Sequence, residues 1–136
     1  MKLSIKKKSK RGKMNWIDDS VDDFCRAMGV ESVDFSSSER AQLVFQYSGT
    51  LHIEKHQDIL FLMLSRKMLR HQSVKQIKQA LAICNDDQGW SFLVRASLLD
   101  EDILVFSAQI TSEEVTRSSL EQAVAVLIRL HNNMVN

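Results

Sequence analysis

The sequence predicts an α+β fold in which helices pack on a largely antiparallel sheet, in the order α-β-β-β-α-β-β-α. Two observations predict it. Apolar residues recur at helical spacing in three segments, and apolar and polar residues alternate in two segments typical of β-hairpins. The chain has 136 residues, 44% of them apolar, no proline and only four glycines, so one folded domain without a linker is expected.

The first helix is predicted over residues 15–28, where Ile17 and Phe24 share one face at helical spacing. Gly29 follows, and glycine favours the left-handed backbone that commonly ends a helix. The polar stretch 31–40 that comes next is predicted to be a loop.

A hairpin and a third strand are predicted after this loop. The hairpin turns at Ser48-Gly49, and its apolar positions are Leu43, Phe45, Tyr47, Leu51 and Ile53. The run 59–64 is apolar at every position, which indicates a strand that is covered on both faces or lies at an interface. A polar connection over 66–72 then leads to a second helix, predicted over 73–84.

The second hairpin has predicted strands 90–98 and 103–110, and the second of these is again apolar on both faces. A last helix is predicted over 117–133. It carries a second apolar stripe, formed by Ala123, Val126, Leu130 and Met134. Small monomers rarely expose large apolar patches, so this surplus predicts a surface that binds another protein.

No catalytic, metal or cofactor site is predicted. The four histidines are scattered and expected to be solvated or at an interface, and the acidic pairs Asp18/Asp22 and Asp19/Asp23 have no visible further ligands for a cation. Catalysis needs cooperating groups, and the sequence nominates none. Cys25 and Cys84 lack metal or redox spacing and are expected to be reduced core cysteines of a cytoplasmic protein.

The charge is unevenly distributed. Residues 1–13 carry seven of the 18 Lys and Arg residues and none of the 17 acidic ones, although the whole chain is only +1. They are predicted to be a disordered basic tail, followed by a folded domain over 14–136. That domain is acidic, which argues against a nucleic-acid partner, because phosphate binding needs clustered cations.

Four stretches carry a resemblance to a known family: MNWIDDSVDDFCRAMGV at 14–30, QYSGTLHIEKH at 46–56, LSRKMLRH at 64–71 and SLEQAVAVLIRL at 119–130. In these stretches the chain resembles the type III secretion chaperones, and among them the SycN type. The resemblance implies the element order predicted above and a heterodimer with a second, YscB-like chaperone. It further implies that the pair binds the N-terminal segment of a YopN-like gatekeeper, which plugs secretion until host contact.

The implied place of action is the bacterial cytoplasm, with peripheral association at the inner membrane through the export apparatus. The resemblance begins at Met14. The preferred explanation is an upstream start codon with Met14 as the functional start, and the rival is a basic tail that touches anionic membrane. Two other functions stay open: a homodimeric effector chaperone of the same superfamily, and a small-ligand or enzymatic α+β domain with a concave pocket.

Candidate contact residues follow from the parity of the strands and from the second helix. The predicted client-binding residues are Leu43, Phe45, Leu60, Leu62 and Leu64, and the predicted dimer-interface residues are Ile77, Leu81, Leu93, Leu104 and Phe106. Parity separates two faces of a sheet but does not say which face the helices cover. An error of one residue in register would exchange the two sets.

Overall fold

Three helices and five strands follow one another in the predicted order, and the α+β fold is confirmed. The computed structural model describes residues 15–30, 35–68, 73–85 and 92–134. The helices are α1 (Asn15–Ala27), α2 (Ser73–Asn85) and α3 (Arg117–Asn132). The strands are β1 (Arg40–Phe45), β2 (Gly49–His56), β3 (Ile59–Lys67), β4 (Leu93–Asp100) and β5 (Ile103–Thr111).

The strands form one antiparallel sheet in the order β1-β2-β3-β5-β4. The first three are joined by two tight turns. The chain then passes through α2 to the far edge of the sheet, and β5 returns between β3 and β4. Strand β3 is therefore central, paired with β2 through Leu51 and Leu64 and with β5 through Leu62 and Ala108. Strands β1 and β4 are the edges.

One face of the sheet is buried, and we call it the covered face. Burial alternates along β3 and β5, as the pleat requires, and the even-numbered side chains are the buried ones. Helix α3 packs on these two strands and α1 packs on α3. The odd-numbered side chains of β3 and most of those of β5 are half-exposed, and they belong to what we call the open face.

The ends of the helices follow the expected local chemistry. Gly29 has φ +86°, the Gly29 N–H donates to the Arg26 carbonyl and the Val30 N–H donates to the Cys25 carbonyl. These bonds form the Schellman motif that the sequence signal of Gly29 predicts. Helix α3 begins with a capping box, in which Thr116 and Ser119 each bond the backbone N–H of the other.

Three expectations are corrected. The stretch predicted to be a loop contains a helical turn, Phe35–Ser38, and Phe35 is buried because the turn packs against α1 and β1. The second stripe of the last helix is core, since Ala123, Val126 and Leu130 are buried within the chain. His131 is also buried within the chain, whereas the histidines were expected to be solvated or at an interface. The basic tail and residue 90, where the fourth strand was expected to begin, lie outside the described residues.

Candidate protein-binding surfaces

Exposed apolar side chains gather on α2 and β4, which pack against each other at one edge of the sheet. Helix α2 buries only Gln76 and Ala80 among its described side chains and half-buries Ile77. Leu81 is 46% exposed and Leu93 is 49% exposed. We call this region the pairing surface, and its exposed large apolar residues are Val74, Leu81, Leu93, Leu98 and Leu99.

The open face mixes apolar and polar side chains in cross-strand rows. Phe61 lies between Glu54 of β2 and Gln109 of β5, and Met63 lies between His52 and Ser107. The apolar members in β3 and β5 are Ile59, Phe61, Met63, Ile103 and Val105. In the described part of the chain, burial on this face is only partial, so a second polypeptide can still contact it.

Strand β1 is an edge strand, and among the described strands it has a neighbour on one side only. Val44 points to solvent from this strand, and Tyr47, in the turn that follows, is 84% exposed. An extended polypeptide can bind such an edge by forming backbone hydrogen bonds as an additional strand.

The β1–β2 turn is held in place by Arg66 at the end of β3. The Arg66 guanidinium donates two hydrogen bonds to the Ser48 carbonyl, at 3.2 and 3.0 Å, and one to Asn132 Oδ1 of α3, at 2.9 Å. Gly49 has φ +112° and lies directly against the Ser65 carbonyl. Arg66 therefore joins a turn, a strand end and a helix end.

His131 lies beside Arg66 and is 5% exposed. Its Nε2 is 2.8 Å from the Leu64 carbonyl oxygen, which can only accept, so Nε2 carries the proton and donates. The ring packs edge-on against Phe106, with the centroids 4.8 Å apart. The pKa of His131 is lowered to about 4, chiefly by burial; the Leu64 hydrogen bond opposes the shift, and the Arg66 charge adds to it. The imidazole is neutral at pH 7.

Two cavities flank Arg66 and Lys67. The larger, of about 580 Å³, has walls of Leu104, His131 and other residues of β3, α2 and the end of α3. The smaller, of about 350 Å³, is bounded by Tyr47 and other residues of the β1–β2 turn, by Ile103, and by the end of β3.

Within residues 15–30, 35–68, 73–85 and 92–134, no group of three or more His, Cys, Asp or Glu side chains is placed to hold a metal ion. Burial raises the pKa of the Cys25 thiol to about 11 and raises the pKa of Cys84, so both thiols are protonated at neutral pH. Burial also raises the pKa of Asp22. No helix of the described part is long and apolar enough to cross a membrane.

The predicted client-binding residues lie mostly in the core. Leu43, Leu60, Leu62 and Leu64 are buried on the covered face, and Phe45 is half-buried near the β1–β2 turn. The structure brings them together as one apolar layer beneath α1 and α3. Contact of a client with the four leucines stays a prediction, and it would require the helices to leave the sheet.

The predicted dimer residues separate into two groups. Leu81 and Leu93 are exposed on the pairing surface and Ile77 is half-buried there, whereas Leu104 and Phe106 are buried on the covered face. Strand parity could not make this division, because Leu104 and Phe106 alternate with Val105 in a strand that is apolar on both faces.

Some surface residues were missed by the sequence reasoning. Leu98 and Leu99 are both exposed because the register of β4 shifts between Leu98 and Asp100. The adjacent leucines before an acidic turn were the available signal. Arg66 was assigned only to a polar connection, and its partners Ser48 and Asn132 are too distant in sequence for any local pattern.

The comparisons with solved structures match this fold to the type III secretion chaperones. A chain in the structure of the Yersinia pestis chaperone SycH with a stable fragment of YscM2 superposes with a TM-score of 0.67 at 13% identity. The match covers 88% of this chain and 99% of that one. A chain of the ExoU-SpcU complex of Pseudomonas aeruginosa superposes with a TM-score of 0.61 at 14% identity, over 82% and 92% of the two chains. At 13% and 14% identity, these superpositions show a similarity of fold.

Sequence comparison identifies the family to which the chain belongs within this class of chaperones. Residues 16–135 match the family described as type III secretory system chaperone SycN. The chain is 30% identical over 122 residues to the chaperone protein SycN of Yersinia enterocolitica, covering 90% of this chain and 98% of that protein. SycN of Yersinia pseudotuberculosis matches to the same extent. The chain belongs to the SycN family of type III secretion chaperones, and membership implies a non-enzymatic role.

Proposed function

We propose that this chain pairs with a second, YscB-like chaperone and that the pair binds the N-terminal segment of a YopN-like gatekeeper. The pair keeps the gatekeeper competent for secretion and targets it to the export apparatus. The observation that carries the pairing is the exposure of five large apolar side chains on the pairing surface of a small protein. The work is done by binding in the bacterial cytoplasm, without catalysis or a cofactor, and it serves virulence.

Pairing uses α2 and β4. Covering Leu81, Leu93 and Leu99 removes apolar surface from water, which stabilises an interface by about 25 cal/mol for each Å² buried. Ile77, half-buried on α2, adds to the apolar surface of this interface. Because Leu81, Leu93 and Leu99 are exposed and are not part of the core of this chain, their substitution separates pairing from folding.

Client binding uses the open face and the β1 edge. An extended segment adds as a strand along β1 through backbone hydrogen bonds, and a further part of the client crosses the open face, where apolar side chains contact Phe61, Met63 and Val105. Ordering a disordered segment costs free energy, so a long contact along the sheet is needed for useful affinity.

Paired variants test the two surfaces independently. The double variant Leu81→Glu, Leu98→Glu is expected to stay folded and to lose association with the second chaperone by at least about tenfold, because charges would be buried in an apolar interface. The single variant Val44→Glu is the matched control on the other edge. It should keep pairing and lose affinity for the secreted protein. Both associations are measured by co-expression, size exclusion and light scattering.

Two results contradict the proposal. If the double variant pairs as well as the natural chain, α2 and β4 do not form the interface. If the natural chain forms a stable homodimer that binds a secreted protein without any second chaperone, the protein is a homodimeric effector chaperone.

A further inference from the structure

Arg66 and Lys67, at the end of β3, line both of the cavities described above. The 580 Å³ cavity also has apolar walls, contributed by Met68, Leu104 and Met134. The 350 Å³ cavity has aromatic and aliphatic walls, contributed by Phe45, Tyr47 and Ile103. Two cationic groups therefore lie between two partly apolar cavities.

The positive charge of Arg66 is not neutralised by a carboxylate within the described residues. Its three hydrogen bonds go to neutral acceptors, the Ser48 carbonyl and Asn132 Oδ1. Burial lowers the pKa of Arg66 from its ordinary value. A half-buried guanidinium with only neutral acceptors gains from a carboxylate, since charge-assisted hydrogen bonds are roughly twice as strong as neutral ones.

Lys67 adds a second charge at the same place. Its Nζ is 3.9 Å from Asp102 Oδ2, at the outer limit of an ion pair, and its side chain is 79% exposed. His131, which also lines the larger cavity, is neutral and contributes no compensating negative charge. Arg66 is therefore the cation at this end of the sheet that has no carboxylate partner among the described residues, whereas Lys67 lies beside the acidic turn 100–102.

We propose that an acidic side chain of the bound secreted polypeptide sits between Arg66 and Lys67, with apolar neighbours in the two flanking cavities. This rests on the proposed function. The occupant is the client because the smaller cavity is lined by Phe45 and Tyr47, from β1 and its turn. A client strand added along β1 reaches this end of the sheet. The preferred client sequence is apolar–acidic–apolar.

Two capped peptides test the proposal on the full chain. One is Ile-Thr-Glu-Thr-Ile, and the other is the same peptide with glutamine in place of the central glutamate. Each is titrated into isotopically labelled protein and followed by NMR. The glutamate peptide is expected to bind about fivefold more tightly than the glutamine peptide, as for a charge-assisted contact. The largest shifts are expected at Lys67, Leu104 and His131. This preference should shrink as salt rises, because exposed charges are screened.

Three variants identify the source of the preference. Lys67→Gln changes an exposed side chain and should reduce the glutamate preference about twofold, while Arg66→Gln should abolish it. Arg117→Gln, which removes an exposed cation at the start of α3, outside both binding surfaces, is the matched control and should leave the preference unchanged. If Arg66→Gln does not fold, Lys67→Gln and the comparison of the two peptides still decide the matter.

Equal affinity for the two peptides overturns the inference, and so do shifts located away from the two cavities. Sodium acetate is titrated into the protein as a further control. If acetate alone at the same concentration reproduces the shifts, the site binds free anions and the inference is wrong. If the glutamate preference is lost but the chain still captures the secreted protein, the inference is wrong and the proposed function stands. Failure to capture any secreted protein overturns both.

Discussion

Single residues hold the β1–β2 turn in the position from which it can contact a partner. Arg66 bonds the turn carbonyl of Ser48, and Gly49 permits the turn to lie against the Ser65 carbonyl. The same arginine bonds Asn132 at the end of α3. The sequence could signal the glycine, because serine–glycine pairs favour tight turns. It could not signal the arginine, whose two partners lie 18 and 66 residues away along the chain.

Gly49→Ala tests the close approach of the turn to β3. A Cβ at Gly49 would overlap the Ser65 carbonyl oxygen and would add the strain of φ +112°. We expect the free energy of unfolding to fall by about 3 kcal/mol or more. The matched control is Gly29→Ala, where φ is +86° and no atom lies within 4 Å. It should lose only about 1 kcal/mol. Equal losses in urea unfolding would show that the turn is not packed as described.

His131 makes stability depend on pH. Its pKa is about 4 in the folded chain and 6.5 ordinarily, so the unfolded chain binds the proton first as pH falls. The stability that depends on a neutral His131 is fully present above pH 6.5. It declines by on the order of 3 kcal/mol as the pH falls towards 4. Urea unfolding at pH 7.5 and 4.5 measures the loss, which His131→Gln should lack. A His131 ring resonance that titrates near pH 6.5 would contradict the buried position.

At the scale of elements, periodicity predicts the order of helices and strands because it reports directly on local backbone geometry. What it could not predict is which face of the sheet is covered. In β3, Leu62 and Met63 are equally suitable for a core, and only the docking of α3 makes the first buried and the second half-exposed. The leucines predicted to bind a client therefore lie in the core, while the open face carries Phe61 and Met63.

Alanine substitutions in β3 test this division between faces. Leu62→Ala removes a buried side chain and should lower the free energy of unfolding by about 2–5 kcal/mol through the cavity it leaves. Met63→Ala is the matched control on the open face and should cost about 1 kcal/mol or less. If the two variants lose the same stability, the helices do not cover the assigned face.

At the scale of the whole molecule, two apolar surfaces lie away from the core: the pairing surface on α2 and β4, and the open face with its β1 edge. The pairing surface and the β1 edge lie at opposite edges of one sheet, which suits a protein that binds a second chaperone and a client together. In strands 59–64 and 103–110, where the sequence predicted surplus apolar surface, the odd-numbered apolar side chains are half-exposed on the open face. The sequence placed further surplus in the last helix, where the structure shows core.

The basic tail is expected to stand outside this binding function. Deleting residues 2–13 should leave the free energy of unfolding, pairing and client binding unchanged, because the family match begins only at residue 16. Unfolding curves and co-purification measure these effects. Binding to vesicles rich in anionic lipid, compared between the full and shortened chains, tests the rival role at the membrane. Loss of client binding on deletion would reverse the expectation.

Purification of the tagged full chain from its native cells, with native mass spectrometry of the complex, tests the central claim most directly. The predicted result is one copy of this 15.6 kDa chain with one copy of a second small acidic protein, together with one secreted protein. The result that would contradict it is a complex of two copies of this chain, or a chain that carries a small metabolite and no protein partner.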